Sequence, residues 1–145
     1  MTASKYVDPY QAYRFRIEIQ GIQRGGFREA SGLDATNDVV EYREGNEPDG
    51  TVHKLSGLTK YSNITLKGGI TDDHTFYDWK QTTVKGKTER KTGSIILLND
   101  AGEEKMRWNF SRGWITKWSG PTFNATSNDV AIESIEIAHE GVEKA

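Results

Sequence analysis

The chain has 145 residues, enough for one domain with a real core. Its formal net charge of -2 and pI of about 5.9 argue against a nucleic-acid binder, which carries a basic excess. With no Cys there is no disulfide framework and no thiol chemistry, and no apolar run reaches the ~18 residues of a membrane span.

Residues 1–145 read as a single domain that opens with an arm over 1–11. Tyr13 to Gln20 alternates Tyr13, Phe15, Ile17 and Ile19 against Arg14, Arg16, Glu18 and Gln20, the pattern of a half-buried strand. Phe27 to Leu33 predicts a weaker strand with small residues, and Asn37 to Glu44 a third with Val40 and Tyr42 on one face. Gly45-Asn-Glu-Pro-Asp-Gly50 is turn chemistry. The whole connection from Gly45 to Leu58 is polar and marked by Pro48 and glycines, so 45–58 is expected to be a long inter-strand loop. Within and after it, His53–Ser56 and Tyr61–Ile70 have strand character, split at Gly57.

Asp72 or Asp73 can cap a short helix over 72–83, with Phe76 and Trp79, three apart, on its buried face. Lys85 to Thr92 mixes basic residues with Glu89 and reads as a solvated loop. Ser94 to Leu98 is continuously apolar after its first residue, so it predicts a strand covered on both sides. Asn99-Asp-Ala-Gly102 is a hairpin turn. Lys105–Ser111 aligns Met106, Trp108 and Phe110; beyond Gly113, Trp114, Thr116 and Trp118 share a face. The closing strand, Val130 to Ala138, changes phase. Val130 and Ile132 share one face, whereas Ile135 and Ile137 lie on the other. Either a bulge sits near Glu133-Ser134 or both faces are buried, and a terminal strand buried on both faces points to partners. Val130, Ile132, Ile135 and Ile137 are therefore the candidate core or subunit-interface strand. The sum is a mainly β domain of about eight or nine strands with one helix, a sandwich or barrel.

Catalytic constellations do not emerge. His53, His74 and His139 are far apart, and Asp72-Asp73-His74 lacks a second ligand pair at metal-binding spacing. Asn99 to Glu104 resembles a calcium loop only in composition. No phosphate loop, dinucleotide fingerprint or nucleophile elbow is present. Catalytic, cofactor and metal sites are all expected to be none. Trp114 and Trp118 on one strand face suggest either a sugar-stacking platform, hence a carbohydrate-binding β-sandwich, or buried core aromatics. Without a secretory signal core in Met1 to Pro9, the protein is expected to be made and folded in the cytoplasm.

The stretch from Trp114 to Gly141 resembles the C-terminal signature of phage-tail-tube-like proteins, the inner tube of contractile tails and extracellular contractile injection systems. Tyr13-Arg-Phe-Arg-Ile-Glu-Ile, Phe27-Arg-Glu-Ala-Ser-Gly-Leu33, Val40-Glu-Tyr-Arg-Glu-Gly45, Leu66-Lys-Gly-Gly-Ile70 and the helix with Trp79 resemble earlier parts of that family, in order. One departure is Ile115, where the family pattern is expected to carry Pro. The resemblance implies a β-barrel or sandwich subunit assembling into a hexameric ring, with rings stacked into a hollow tube inside a contractile sheath. It implies a conduit rather than an enzyme. The implied partners are further copies of the chain, the sheath protein, baseplate and tube-terminating proteins, and effector cargo in the lumen, with nucleic acid only in a phage. A tube-initiating paralogue at the baseplate is the alternative within the family. In relatives the long loop reaches towards the adjacent ring, which makes Glu47, Asp49, His53 and Lys54 the expected ring-stacking groups. The mature particle is expected in the cytoplasm or released from the cell.

Overall fold

The computed structural model describes residues 9–22, 26–45, 50–126 and 128–145. Along them run β1 (Phe15–Ile19), β2 (Phe27–Ser31), β3 (Ala35–Tyr42), β4 (His53–Tyr61), β5 (Ile64–Gly69), α1 (Thr75–Val84), β6 (Lys91–Leu98), β7 (Glu104–Ser119), β8 (Ile132–Ala138) and β9 (Val142–Lys144). Seven strands join in the order β1-β6-β7-β8-β5-β2, with β9 alongside β7, while β3 and β4 form a separate antiparallel ribbon. No pairing joins β1 to β2 among the described residues, so the sheet is open and the expected barrel does not close.

What folds this open sheet over a core is β7. Its first part, to Gly113, pairs with β6 and β9. From Trp114 onward it pairs with β8. At the change-over Arg112 has φ 50°, a left-handed conformation uncommon for a non-glycine residue, and it ion-pairs with Glu140. Gly113 follows because a Cβ there would lie 2.8 Å from Phe110 Cε2 and 2.9 Å from Ile137 Cγ2. The sequence pattern reads Lys105–Ser111 and Trp114–Trp118 as two strands split at Gly113; the structure makes them one bent strand, since Gly113 serves close packing rather than chain reversal.

The two halves share one core. Ile17, Ile19, Ile95 and Phe110 come from the β1-β6-β7 half; Ile64, Leu66, Ile115, Ile135 and Ile137 come from the β7-β8-β5-β2 half. Phe76 and Trp79 of α1 join them. The helix begins at Thr75 rather than at residue 72, because the Asp73 carboxylate is taken up in a turn ahead of it, accepting the Thr75 N–H at 2.8 Å and also the Thr75 hydroxyl. On β6, Ile95 faces the core and Ile96 is equally buried on the opposite face. Its register neighbours there are Arg16 and Arg107, and their aliphatic stems can cover it. Both guanidiniums reach Glu18, at 3.3 Å each. Hydrogen bonding to Glu104, opposed by desolvation, raises the Arg107 pKa above its ordinary value.

Three further expectations change. The stretch 45–58 is not loop throughout: β4 starts at His53 and continues through Gly57 to Tyr61. Gly57 is an in-strand residue where the β3-β4 register shifts, with Gly57 and Leu58 opposite Asp38 alone, and a Cβ at 57 would stand 2.9 Å from the Asp38 carbonyl. Tyr61 therefore ends β4, and β5 begins only at Ile64.

On β8 there is no bulge at Glu133-Ser134, since its register with β5 is unbroken from Ile132 to Ile137. Glu133, Ile135 and Ile137 all face inward, and Val130 precedes the strand and is exposed. The apparent phase change arises because an inward position is filled by a carboxylate.

Finally, Trp114 and Trp118 do not share a face. The irregularity between Ile115 and Lys117 puts Trp118 opposite inward Ile135 and Trp114 opposite outward Ala138, which removes the coplanar sugar platform.

Candidate assembly surfaces

Two parts of the surface are unfinished as they stand in a single chain. The first is the half-sheet β7-β8-β5-β2. One face belongs to the core. The other carries Thr65, Lys67, Ser134, Glu136, Lys117 and Ser119, brought side by side by the pairings Lys67 with Ser134, Thr65 with Glu136, and Lys117 with Glu136. Lys67 also pairs with Glu29 of β2 at 3.6 Å. Between Trp114 and Ala138 at one end and Ile132 at the other the face is polar, with Lys67 and Lys117 balanced by Glu29 and Glu136. Among the described residues both edges of the half-sheet are open: β2 has a partner only in β5, and Trp114–Ser119 of β7 only in β8. Open edges are templates for another strand unless blocked. Lys80 of α1 blocks part of one, donating from Nζ to the carbonyls of Ile115 and Thr116 at 3.4 and 3.3 Å.

The second is the β3-β4 ribbon. Every residue of β3 is exposed, and so is all of β4 except Gly57. The register places Val40, Tyr42, His53 and Leu55 on one face, and Val39, Glu41, Lys54 and Ser56 on the other, with Leu58 at the break in register. Among the described residues neither face is covered by another element, yet both bear aliphatic residues. An isolated two-stranded ribbon is marginal in water, so this one calls for outside contacts. Inside the ribbon, Lys60 pairs with Asp38 at 3.2 Å and Asn37 Nδ2 donates to Thr59 Oγ1 at 2.7 Å. Its base is held to the body where His139 Nε2 meets the Ser62 carbonyl at 2.9 Å.

Of the residues singled out from sequence, His53 and Lys54 lie on opposite faces of the ribbon, paired with Tyr42 and Glu41. Glu47 and Asp49 lie outside the described residues. Ile135 and Ile137 are buried in this chain's own core, Ile132 is half-buried, and Val130 is exposed. Sequence reasoning missed Glu133, Lys80 and β9. The clue for Glu133 was its parity with Ile135 and Ile137; Lys80 and the three-residue β9 carry no local signal. No group of metal-ligating residues occurs among the described residues.

Comparison with known proteins decides the family. A model described as T4-like virus tail tube protein gp19 matches residues 11–143. The chain belongs to the tail tube protein family. Solved structures of the PVC extracellular contractile injection system resemble it at full length. A chain of its sheath-tube complex in the extended state is 35% identical, with a TM-score of 0.84, covering 94% of this chain and 91% of the other. A chain of its sheath/tube terminator in the extended state is also 35% identical, with a TM-score of 0.86 and 99% of each chain covered. A third, from the anti-feeding prophage cap, is 33% identical, with a TM-score of 0.85 over 100% of this chain and 95% of that one. No curated protein matches the chain. This tail tube protein is thus similar along its whole length to chains from contractile injection system assemblies.

Proposed function

We propose that the chain is the repeating subunit of a hollow inner tube: hexameric rings close through the open edges of the β7-β8-β5-β2 half-sheet, and the rings stack along the tube axis. The observation that carries this reading is that half-sheet, with two free edges and a polar outer face. Side-by-side copies can continue its hydrogen-bond ladder from β2 of one to β7 of the next, removing the edges. The polar face of Lys67, Lys117, Ser134 and Glu136 then lines the lumen, where it needs no further covering. Lys80 leaves Lys117–Ser119 as the stretch of β7 open to the neighbour.

The tube lies within a contractile sheath, ends on baseplate and terminating proteins, and conducts effector cargo, in a particle released from the cell. The similarity to chains from sheath-tube, terminator and cap assemblies supports these partners. Similarity to terminator and cap components also supports a second reading, a subunit confined to one end of the tube, which forms rings but never long tubes.

The chain has no Cys, so Ser134→Cys introduces a single reactive thiol on the proposed lumen face. A bulky maleimide should label it readily in dissociated subunits and slowly in assembled tubes, whereas a thiol at Arg16→Cys on the other half-sheet should label in both. Equal labelling of Ser134→Cys in both states would exclude this face from the lumen.

A further inference from the structure

The imidazole of His139 joins three parts of the molecule. Its Nε2 stands 2.9 Å from the Ser62 carbonyl at the base of the β3-β4 ribbon. Its Nδ1 stands 3.2 Å from the backbone nitrogen of Gly141, the residue before β9. The rings of Tyr61, at the end of β4, and Phe110 of β7 lie tilted 5.8 and 6.1 Å from it. The residue is half-buried, so it is pinned by its neighbours and still open to proton exchange with solvent.

The chemistry of the two partners fixes the tautomer. A carbonyl can only accept and an amide N–H can only donate. Nε2 therefore carries the hydrogen and Nδ1 is bare, which is the neutral imidazole. A second proton has one place to go, Nδ1, where it faces the Gly141 N–H. That bond is then lost. The bond from Nε2 to the Ser62 carbonyl survives and strengthens, because its donor is now charged. Histidine is the side chain that takes up such a proton between about pH 5 and 8. The charged groups on the elements around the ring have other partners. Arg112 pairs with Glu140, Lys60 with Asp38, and Glu136 stands opposite Lys117. On β9, Glu143 and Lys144 stand opposite Asn109 and Trp108. The Tyr61 phenol is the remaining titratable group beside it.

We infer that His139 is a proton-driven toggle between the ribbon base and the β8-β9 turn. Neutral, it ties the two together. Protonated, it loosens the turn and grips the ribbon base harder. β9 is suited to such a release: it has three residues, two of them exposed, and among the described residues it pairs only with β7. The toggle works within one chain, so it goes beyond the tube reading and does not require rings to form.

Hydrogen exchange of the full chain, followed by NMR at about pH 7.5 and about pH 5.5 and corrected for intrinsic rates, tests it. On acidification the protection of the Gly141 amide should fall at least about threefold. Protection of the Ser62 amide, which bonds to the Asp34 carbonyl at the ribbon base, should rise. His139→Gln does not titrate and should abolish both responses; His53 and His74 remain in that variant as internal controls. Nitrogen-15 spectra of the wild-type imidazole at the higher pH should place the proton on Nε2, a readout that holds even where the variant fails to fold. The toggle is overturned if Nδ1 carries the proton at the higher pH, if the two amides move in the same direction or not at all, or if His139→Gln keeps the response.

Discussion

The indole N–H of Trp118 donates to a carboxylate oxygen of Glu133 across 3.0 Å, and Glu133 is only 7% exposed. This bond explains how β8 can place a charged residue in line with Ile135 and Ile137. Burying a carboxylate is costly unless its oxygens are satisfied. The β7 irregularity that turns Trp118 inward supplies a donor, and Tyr77 of α1 packs edge-on against the same indole at 5.4 Å.

Replacing Trp118 by Phe should therefore cost about 1–3 kcal/mol, since the ring volume shrinks and a buried acceptor loses a donor. Glu133→Gln keeps an acceptor for Trp118 and should cost less. Urea denaturation of the two variants checks the ranking; equal or reversed losses would mean that the bond does not hold β7 to β8.

The ring of Phe110 lies against two glycines. A Cβ at Gly113 would approach it to 2.8 Å, and one at Gly93 would meet both this ring and, at 3.0 Å, the Glu18 carbonyl. Each Gly→Ala change overpacks the core and should destabilise by about 1–3 kcal/mol. Gly93→Ala should be the worse, because a β1 backbone atom cannot rotate away. Thermal melting should show the order wild type, Gly113→Ala, Gly93→Ala; unchanged melting temperatures would contradict this packing.

Ile135→Asp and Ile137→Asp should unfold the subunit before any question of assembly arises. Both side chains are buried within one chain, and an unpaired charge there costs several kcal/mol. Circular dichroism should show loss of the native β signal. A folded, monomeric Ile137→Asp would instead make this strand an interface.

Replacing Glu47 to Thr51 with a short Gly-Ser linker should leave the fold and single rings intact while impairing stacking. Thermal melting reads the first and electron microscopy the second. Tubes of wild-type length from this variant would refute a stacking role for the connection.

Legibility in the sequence followed periodicity. β1, with Phe15, Ile17 and Ile19 alternating, and α1, with Phe76 and Trp79, were readable because one face of each meets the core. β4 was obscured at Gly57, where glycine serves a close approach to Asp38 of β3 at the break in register. β7 was obscured at Gly113, where glycine accommodates Phe110. In both places a local turn signal has a tertiary cause. The polar face of Lys67, Lys117, Ser134 and Glu136 was invisible as a unit, because its members come from three strands and only the register unites them. The ribbon's bareness was equally hidden: its apolar residues look like ordinary strand alternation until no neighbouring element covers them.

The most direct test of the central claim is electron microscopy of the purified chain across a concentration series. Six-fold rings with an open centre, stacking end to end into hollow tubes at high concentration or on a nucleating baseplate, are the predicted result. A strict monomer by light scattering at the highest concentration, with neither rings nor tubes on the grid, would contradict it.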